Sequence, residues 1–404
     1  MFERLVADAR SLDWVLQFWP VLCTSLLGSF LGTMAFRRVA LGLHIVDKPD
    51  SLVKTHKAPV AYLGGLGMLT GLVAGVLVGI RCLDGAQASL DAPRWLMGIV
   101  AGAIIAALVG LIDDLGDLSP ATKVLGQIAA AVTLIAVGIT PDFAQMLAPP
   151  DWPLWEAVAV PLNFLVVVIL VLGATNSLNL LDGLDGLCAG VTAIITFGML
   201  LLAIHVATWA RMDTGDPVRM ILCLTLIGAT LGFLPFNRHP ARIFMGDSGS
   251  LLLGFVIAAL ILLFAQRPGP WSLAAIVLFG LPVLDTAVTL TRRWLNHRPL
   301  FRSDRGHLYD QMMDRGMSLR RAVDCCYLLT GLYVLLGWTV SQLRPRYAWI
   351  VSVAIVLVSA IIVTQKGFLR MKGHRGAVQE PANAERLTEA TLEKGSERSP
   401  EGCG

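Results

Sequence analysis

Residues 176–187 read NSLNLLDGLDGL. Two amides and two carboxylates, Asn176, Asn179, Asp182 and Asp185, fall within these few positions. The run AVAVPLNFLVVVILVLGA (157–174) precedes them and CAGVTAIITFGMLLLAIHVA (188–207) follows. Each flank approaches the roughly 20 apolar residues that cross a bilayer as a helix. The polar dodecapeptide therefore reads as a connection at a membrane surface, and the chain around it as an all-α, polytopic helical bundle.

Composition supports this reading. Of 404 residues, 55% are hydrophobic and 15% charged, against about 25% charged in soluble domains; the mean hydropathy is +0.68. A net charge of +3 gives no sign of a nucleic-acid partner. The seven cysteines are scattered without paired spacing, which argues against a disulfide framework or a zinc site. The first apolar run, Trp14 to Phe36, is too long for a signal-peptide core and is read as a retained span. Eleven spans are expected, at about 14–36, 59–80, 95–112, 122–141, 156–174, 187–208, 218–235, 248–266, 272–291, 322–343 and 347–365. Mid-span positions read as almost free of charge. Residues 1–370 form one membrane domain in this reading, and the polar, charged stretch 371–404 a disordered cytoplasmic tail.

Basic residues orient the bundle. With the N-terminus outside, inside segments carry 20 of the 32 Lys and Arg and outside segments 9, so the N-terminus is expected outside and the C-terminus inside. Five polar clusters are then separated by two spans each: 46–65, 110–127, 176–187, 236–254 and 301–316. An even number of crossings returns the chain to one side, so all five share a face, the cytoplasmic one.

The chemistry follows from the residue types. Asp113, Asp114, Asp117, Asp182, Asp185 and Asp247 stand at span ends. Convergent carboxylates repel unless a cation joins them, and Mg²⁺ is commonly held by one or two carboxylates plus substrate phosphates; span-end aspartates also suit helix capping. The loop 292–321 carries eight Arg, a side chain whose fork matches phosphate. Arg305 and His307 are assigned to substrate, whereas Arg292, Arg293, Arg320 and Arg321 suit anionic headgroups. Lys57 and Lys123 add neutralising charge. Gly64, Gly65, Gly246 and Gly249 allow close backbone approach, and MGDSGS (245–250) offers helix-start N–H groups to an anion. His44, His205, His239, His297 and His374 belong to no constellation.

These motifs, in this order, resemble the polyprenyl-phosphate N-acetylhexosamine-1-phosphate transferases (glycosyltransferase family 4). The matching stretches are DKP…KTH…GG (47–65), DDLGDLSPATK (113–123), NSLNLLDGLDGL, the FN…PARIFMGDSGS segment (236–250) and DRGHL (304–308). The resemblance implies transfer of a sugar-1-phosphate from a UDP-N-acetylhexosamine, most simply UDP-GlcNAc, to undecaprenyl phosphate, with release of UMP. It implies Mg²⁺, with Mn²⁺ as substitute, on Asn179 and Asp247. Asp113 or Asp114 would position or deprotonate the lipid phosphate, and Asp182 would act beside them. Asp182 and Asp185 would lie near the nucleotide, with Phe244 stacking on uracil; Asn176 would be a further substrate contact, and Arg305 and His307 would face the sugar and its phosphate. A homodimer is allowed. Where the family often pairs histidines after this last motif, the chain has Tyr309 and Asp310. A transporter or flippase would instead place charge deep in the spans and polar clusters on both faces. A CDP-alcohol phosphotransferase would need an Arg that DGLDGLCAG lacks.

Overall fold

The computed structural model describes residues 16–47, 59–85, 91–141, 155–209, 215–266, 269–298 and 306–369. Among them are thirteen helices and one two-stranded ribbon. Helix α1 spans Trp19–Gly42; strands β1 (Val46–Asp47) and β2 (Val60–Ala61) follow, then α2 (Gly64–Cys82), α3 (Ala92–Gly116) and α4 (Pro120–Ala136). Next come α5 (Trp155–Leu181), α6 (Leu187–Trp209), α7 (Gly215–Asn237), α8 (Gly246–Ala265), α9 (Trp271–Leu278) and α10 (Gly280–Leu295). The last are α11 (Leu308–Asp314), α12 (Leu319–Ser341) and α13 (Pro345–Gln365). The tail expected beyond residue 370 lies outside the described residues.

Nine of these helices are long and apolar enough to cross a membrane. The expected span 272–291 is not straight: α9 and α10 meet at a 64° bend. Gly280 starts α10 against the Tyr333 ring, where a Cβ would overlap it, and Pro282 lacks an N–H for the ladder, so the chain turns here. The expected span 122–141 is the 17-residue α4, at the short end of spanning lengths.

Helix α8 is the axis. Its spanning window is wholly buried, as an all-round apolar sequence requires, with α2, α3, α5 and α7 packed about it. The approach is closest at glycines. A Cβ on Gly110 of α3 would overlap the backbone of Asp247 and Ser248, and one on Gly65 of α2 would overlap Gly249. Both contacts lie at the α8 N-terminus, so small residues there decide how closely α2 and α3 approach it. On the other side, Ser25 and Ser29 of α1 donate to the carbonyls of Thr225 and Ala229 on α7, each at 2.6 Å. Such hydroxyl-to-backbone contacts between close helices are a membrane-protein device. The outer helices α12 and α13 leave Leu328, Ile350 and Val356 exposed, as lipid-facing positions should be.

Charges hold both ends of α8. At its C-terminus the guanidinium of Arg219, fully buried, donates to the Leu263 carbonyl at 2.6 and 3.1 Å and pairs with Asp216 at 2.7 Å. The spans do contain buried charge, contrary to the expectation from sequence: Arg219 and Asp285 both lie within expected spans and are fully buried.

Candidate functional site

The connection between α3 and α4 shows how the local sequence builds the site. Helix α3 ends with Asp117 in the left-handed region (φ 47°), its N–H returning to the Asp113 carbonyl at 3.0 Å. Two residues later Ser119 caps α4, its hydroxyl accepting from Thr122 N at 3.2 Å, with Pro120 opening the helix. This tight reversal lays Lys123 beside Asp113. The ammonium donates to Asp113 Oδ2 at 2.9 Å, and Leu118 N donates to Asp113 Oδ1 at 2.9 Å. The same ammonium also pairs with Asp247 Oδ2. The amide of Asn179, on the last turn of α5, donates to Asp247 Oδ1 at 2.7 Å and to Ser250 Oγ at 3.0 Å. Asp113, Lys123, Asn179 and Asp247, from four helices, therefore form one half-buried cluster.

Asp114 has a different role from its neighbour. Its carboxylate accepts the backbone N–H groups of Asp247 (2.8 Å) and Ser248 (3.1 Å). The anion anticipated at the MGDSGS helix start is thus the protein's own. It answers two of the unpaired donors of α8 and the positive end of its dipole.

After α5 the chain turns through 182–186, with Gly186 at φ +79°. Asp182 faces this cluster: burial, together with Asp247, Asp114 and Asp185, holds its carboxyl well above the usual carboxylate range. Asp185 points the other way, to His239 Nδ1 at 2.7 Å and Ala241 N at 3.0 Å. His239, assigned no constellation from sequence, is therefore tied to this turn. Buried Asn237 fastens the two segments, accepting from Gly186 N and donating to the Ile243 carbonyl, both at 3.0 Å. Phe244 sits on a short backbone pairing with 61–64, its N–H on the Ala61 carbonyl at 2.9 Å and its carbonyl accepting Gly64 N at 3.0 Å. Its ring meets Tyr62 edge-on at 6.0 Å. The Tyr62 phenol is pushed up by burial and by Asp47, Asp114, Asp182 and Asp247.

Asn176 lies one helical turn before Asn179 and donates to Gln127 Oε1 at 3.1 Å and to the Leu172 carbonyl at 2.8 Å; it does not touch the lysine–acid cluster. His307 is held at α10, its Nδ1 on Asp285 Oδ2 at 2.8 Å. The neighbouring Tyr309 hydroxyl reaches the Leu180 carbonyl at 3.1 Å. Arg292 and Arg293 are buried and so are not the headgroup contacts that their position in the loop suggested. Lys57 and Arg305 lie outside the described residues.

Sequence reasoning missed Tyr62, Gln127, Asn237, His239 and Asp285. Tyr62 stands inside the first polar cluster, and Asp285 is an acid within an apolar run, which is itself a signal. Gln127 and Asn237 have no spacing to single them out.

The described parts of all five polar segments are thus tied to one another at one end of the bundle. The fold and site define an integral membrane protein with an acid–amide–lysine centre at the mouth of its central helix. The model of glycosyl transferase family 4 matches residues 96–265. A probable undecaprenyl-phosphate N-acetylglucosaminyl 1-phosphate transferase of Bacillus subtilis is 31% identical, over 90% of this chain and 95% of its own. A decaprenyl-phosphate N-acetylglucosaminephosphotransferase of Mycolicibacterium smegmatis is 31% identical over 81% of this chain and 82% of its own. A phospho-N-acetylmuramoyl-pentapeptide-transferase of a Geobacillus strain is 34% identical, over 65% of this chain and 76% of its own. The chain belongs to glycosyl transferase family 4.

Proposed function

We propose that the protein transfers N-acetylglucosamine-1-phosphate from UDP-GlcNAc to undecaprenyl phosphate at the cytoplasmic face of the bacterial inner membrane. The observation that carries this is the Lys123 ammonium between the Asp113 and Asp247 carboxylates, with the Asn179 amide on Asp247. The two acids gather positive charge where a water-borne diphosphate and a membrane-borne phosphate can both arrive.

A lipid phosphate oxygen attacks the sugar-linked phosphorus; one P–O bond forms, one breaks, and UMP leaves. A phosphate monoester has its second pKa near about 6, so the nucleophile is largely dianionic and needs little help from a base. Positioning and charge neutralisation do most of the work in such transfers. Asp114 has its oxygens engaged by the α8 backbone. Placement of the lipid phosphate therefore falls to Lys123 and Asp113. Asp182 borders the reacting phosphates, Phe244 offers a face to uracil, and Asp185 with its His239 and Ala241 partners shapes the nucleotide wall. Lys57 and Arg305 would add cationic contacts to the phosphates.

The donor atoms suit Mg²⁺, or Mn²⁺ in its place. They are a carboxylate on Asp247 and an amide on Asn179, hard oxygen ligands at a place where the protein already holds a cation. Among the described residues no group of three or more His, Cys, Asp or Glu could hold a metal unaided, and Mg²⁺ commonly relies on substrate phosphates for the remaining ligands. Bound there, the ion would withdraw charge from the diphosphate oxygens.

The test is UMP release by the purified protein supplied with UDP-GlcNAc, undecaprenyl phosphate and Mg²⁺. UMP should appear in step with a lipid-linked sugar. No UMP from any UDP-sugar, across several prenyl lengths, would overturn the reading.

A further inference from the structure

We infer that Asp285 is a positioning residue for His307, fixing the imidazole so that its Nε2 meets the diphosphate of the sugar-nucleotide donor. The inference rests on the reaction proposed above.

Beyond the bend, α10 carries Asp285, Thr289 and Arg292 at spacings that place them on one face, and all three are fully buried. The segment 306–309 docks on that face. Asp285 spends both oxygens on it: Oδ2 meets His307 Nδ1 at 2.8 Å and Oδ1 accepts Leu308 N at 2.6 Å. Thr289 Oγ1 lies 3.3 Å from the same Nδ1. Arg292 packs so closely on Gly306 that a Cβ there would overlap its guanidinium. The Tyr309 ring stacks on the imidazole, centroids 5.4 Å apart and planes within 10°. The Tyr309 hydroxyl bonds to the Leu180 carbonyl, two residues before Asp182. The Asp310 carboxylate accepts His307 N at 3.3 Å. The ring is therefore fixed by an acid, a hydroxyl and a stacked phenol, and its segment is anchored to the end of α5.

Among the described residues nothing hydrogen-bonds Nε2. A carboxylate on Nδ1 keeps a proton on that nitrogen and fixes the ring's orientation, which leaves Nε2 as the nitrogen that can turn an N–H to an anion. A buried carboxylate is costly unless its charge is used. Here both oxygens are used to aim the histidine.

The experiment measures UMP release by the full-length protein with UDP-GlcNAc and undecaprenyl phosphate. It compares wild type, Asp285→Asn, His307→Ala and the double variant. Asp285→Asn keeps the shape and an acceptor for Leu308 N, but removes the charge and sets an N–H₂ against Nδ1. Its kcat/KM for UDP-GlcNAc should fall about 10- to 100-fold, the range for a charge-assisted hydrogen bond, with KM for undecaprenyl phosphate changed by less than about twofold. The double variant should be no worse than His307→Ala alone, because Asp285 acts through the histidine. Wild-type kcat/KM in Asp285→Asn, multiplicative losses in the double variant, or an equal rise in KM for the lipid would each overturn the inference. If Asp285→Asn does not fold, Asp285→Glu takes its place in the cycle: a loss that vanishes in the His307→Ala background supports the role, and a multiplicative loss refutes it. A wild type that releases no UMP refutes the reaction itself; an active wild type with multiplicative losses refutes only the part given to Asp285.

Discussion

The carboxylate of Asp114, on α3, accepts the backbone N–H of Asp247, the first acid of α8, at 2.8 Å, and that of Ser248 at 3.1 Å. Two adjacent acids therefore have different roles. Asp113 faces Lys123, while Asp114 holds the helix that carries Asp247. Asp114→Asn sets an N–H₂ group against a backbone donor. It should cost about 1–3 kcal/mol and lower turnover together with unfolding temperature. Asp113→Asn should lose turnover while the unfolding temperature moves by about 2 °C or less. Thermal unfolding in detergent beside initial rates separates the two, and a loss of turnover without destabilisation in Asp114→Asn would count against the capping role.

Lys123 neutralises two acids from different helices. In Lys123→Gln, Asp113 and Asp247 confront each other without that charge. Turnover should drop about 100-fold or more, the scale for removing one electrostatic contact to a transition state. Initial rates at saturating UDP-GlcNAc check this, and near-normal rates would remove Lys123 from the centre.

Gly110 is the point where α3 meets the α8 N-terminus. Gly110→Ala forces that contact apart and should cost about 1–3 kcal/mol, with turnover falling as Asp114 and Asp247 separate. Gly173→Ala, where a Cβ meets nothing within 4 Å, is the matched control and should leave both quantities near wild type.

Much of this architecture is legible in the sequence alone. Long apolar runs mark where the helices are, and the even spacing of five polar clusters places them at one end. Boundaries fail where a local event overrides hydropathy, as at Gly280 and Pro282, where the run 272–291 bends. Roles within the site are less legible, because they depend on which helix each side chain meets. Nothing in DDLGDLSPATK says that the first acid takes a lysine and the second caps α8. Nor does the sequence pair Asp285 with His307, 22 positions apart; that pairing needs the bend.

Asp182 gives a pH signature. Burial and the charges of Asp247, Asp114 and Asp185 raise its pKa in the folded protein. A carboxyl raised on folding binds its proton more tightly when folded. Its contribution to stability is therefore present at acid pH and is lost as pH rises from the unfolded value, about 4, through the folded one. The unfolding temperature of wild type relative to Asp182→Asn, in metal-free buffer, should fall as pH rises over that range. A difference that grows with pH would contradict the assignment.

The central claim is that the Asp113–Lys123–Asp247–Asn179 cluster moves a phosphate together with its sugar. UDP-GlcNAc labelled in the phosphate next to the sugar, incubated with the purified protein, Mg²⁺ and undecaprenyl phosphate, tests it most directly. The label should pass into the lipid fraction while unlabelled UMP accumulates, and Asp247→Asn should abolish both. Label remaining in released UDP while only the sugar reaches the lipid, or unchanged transfer in Asp247→Asn, would contradict the account.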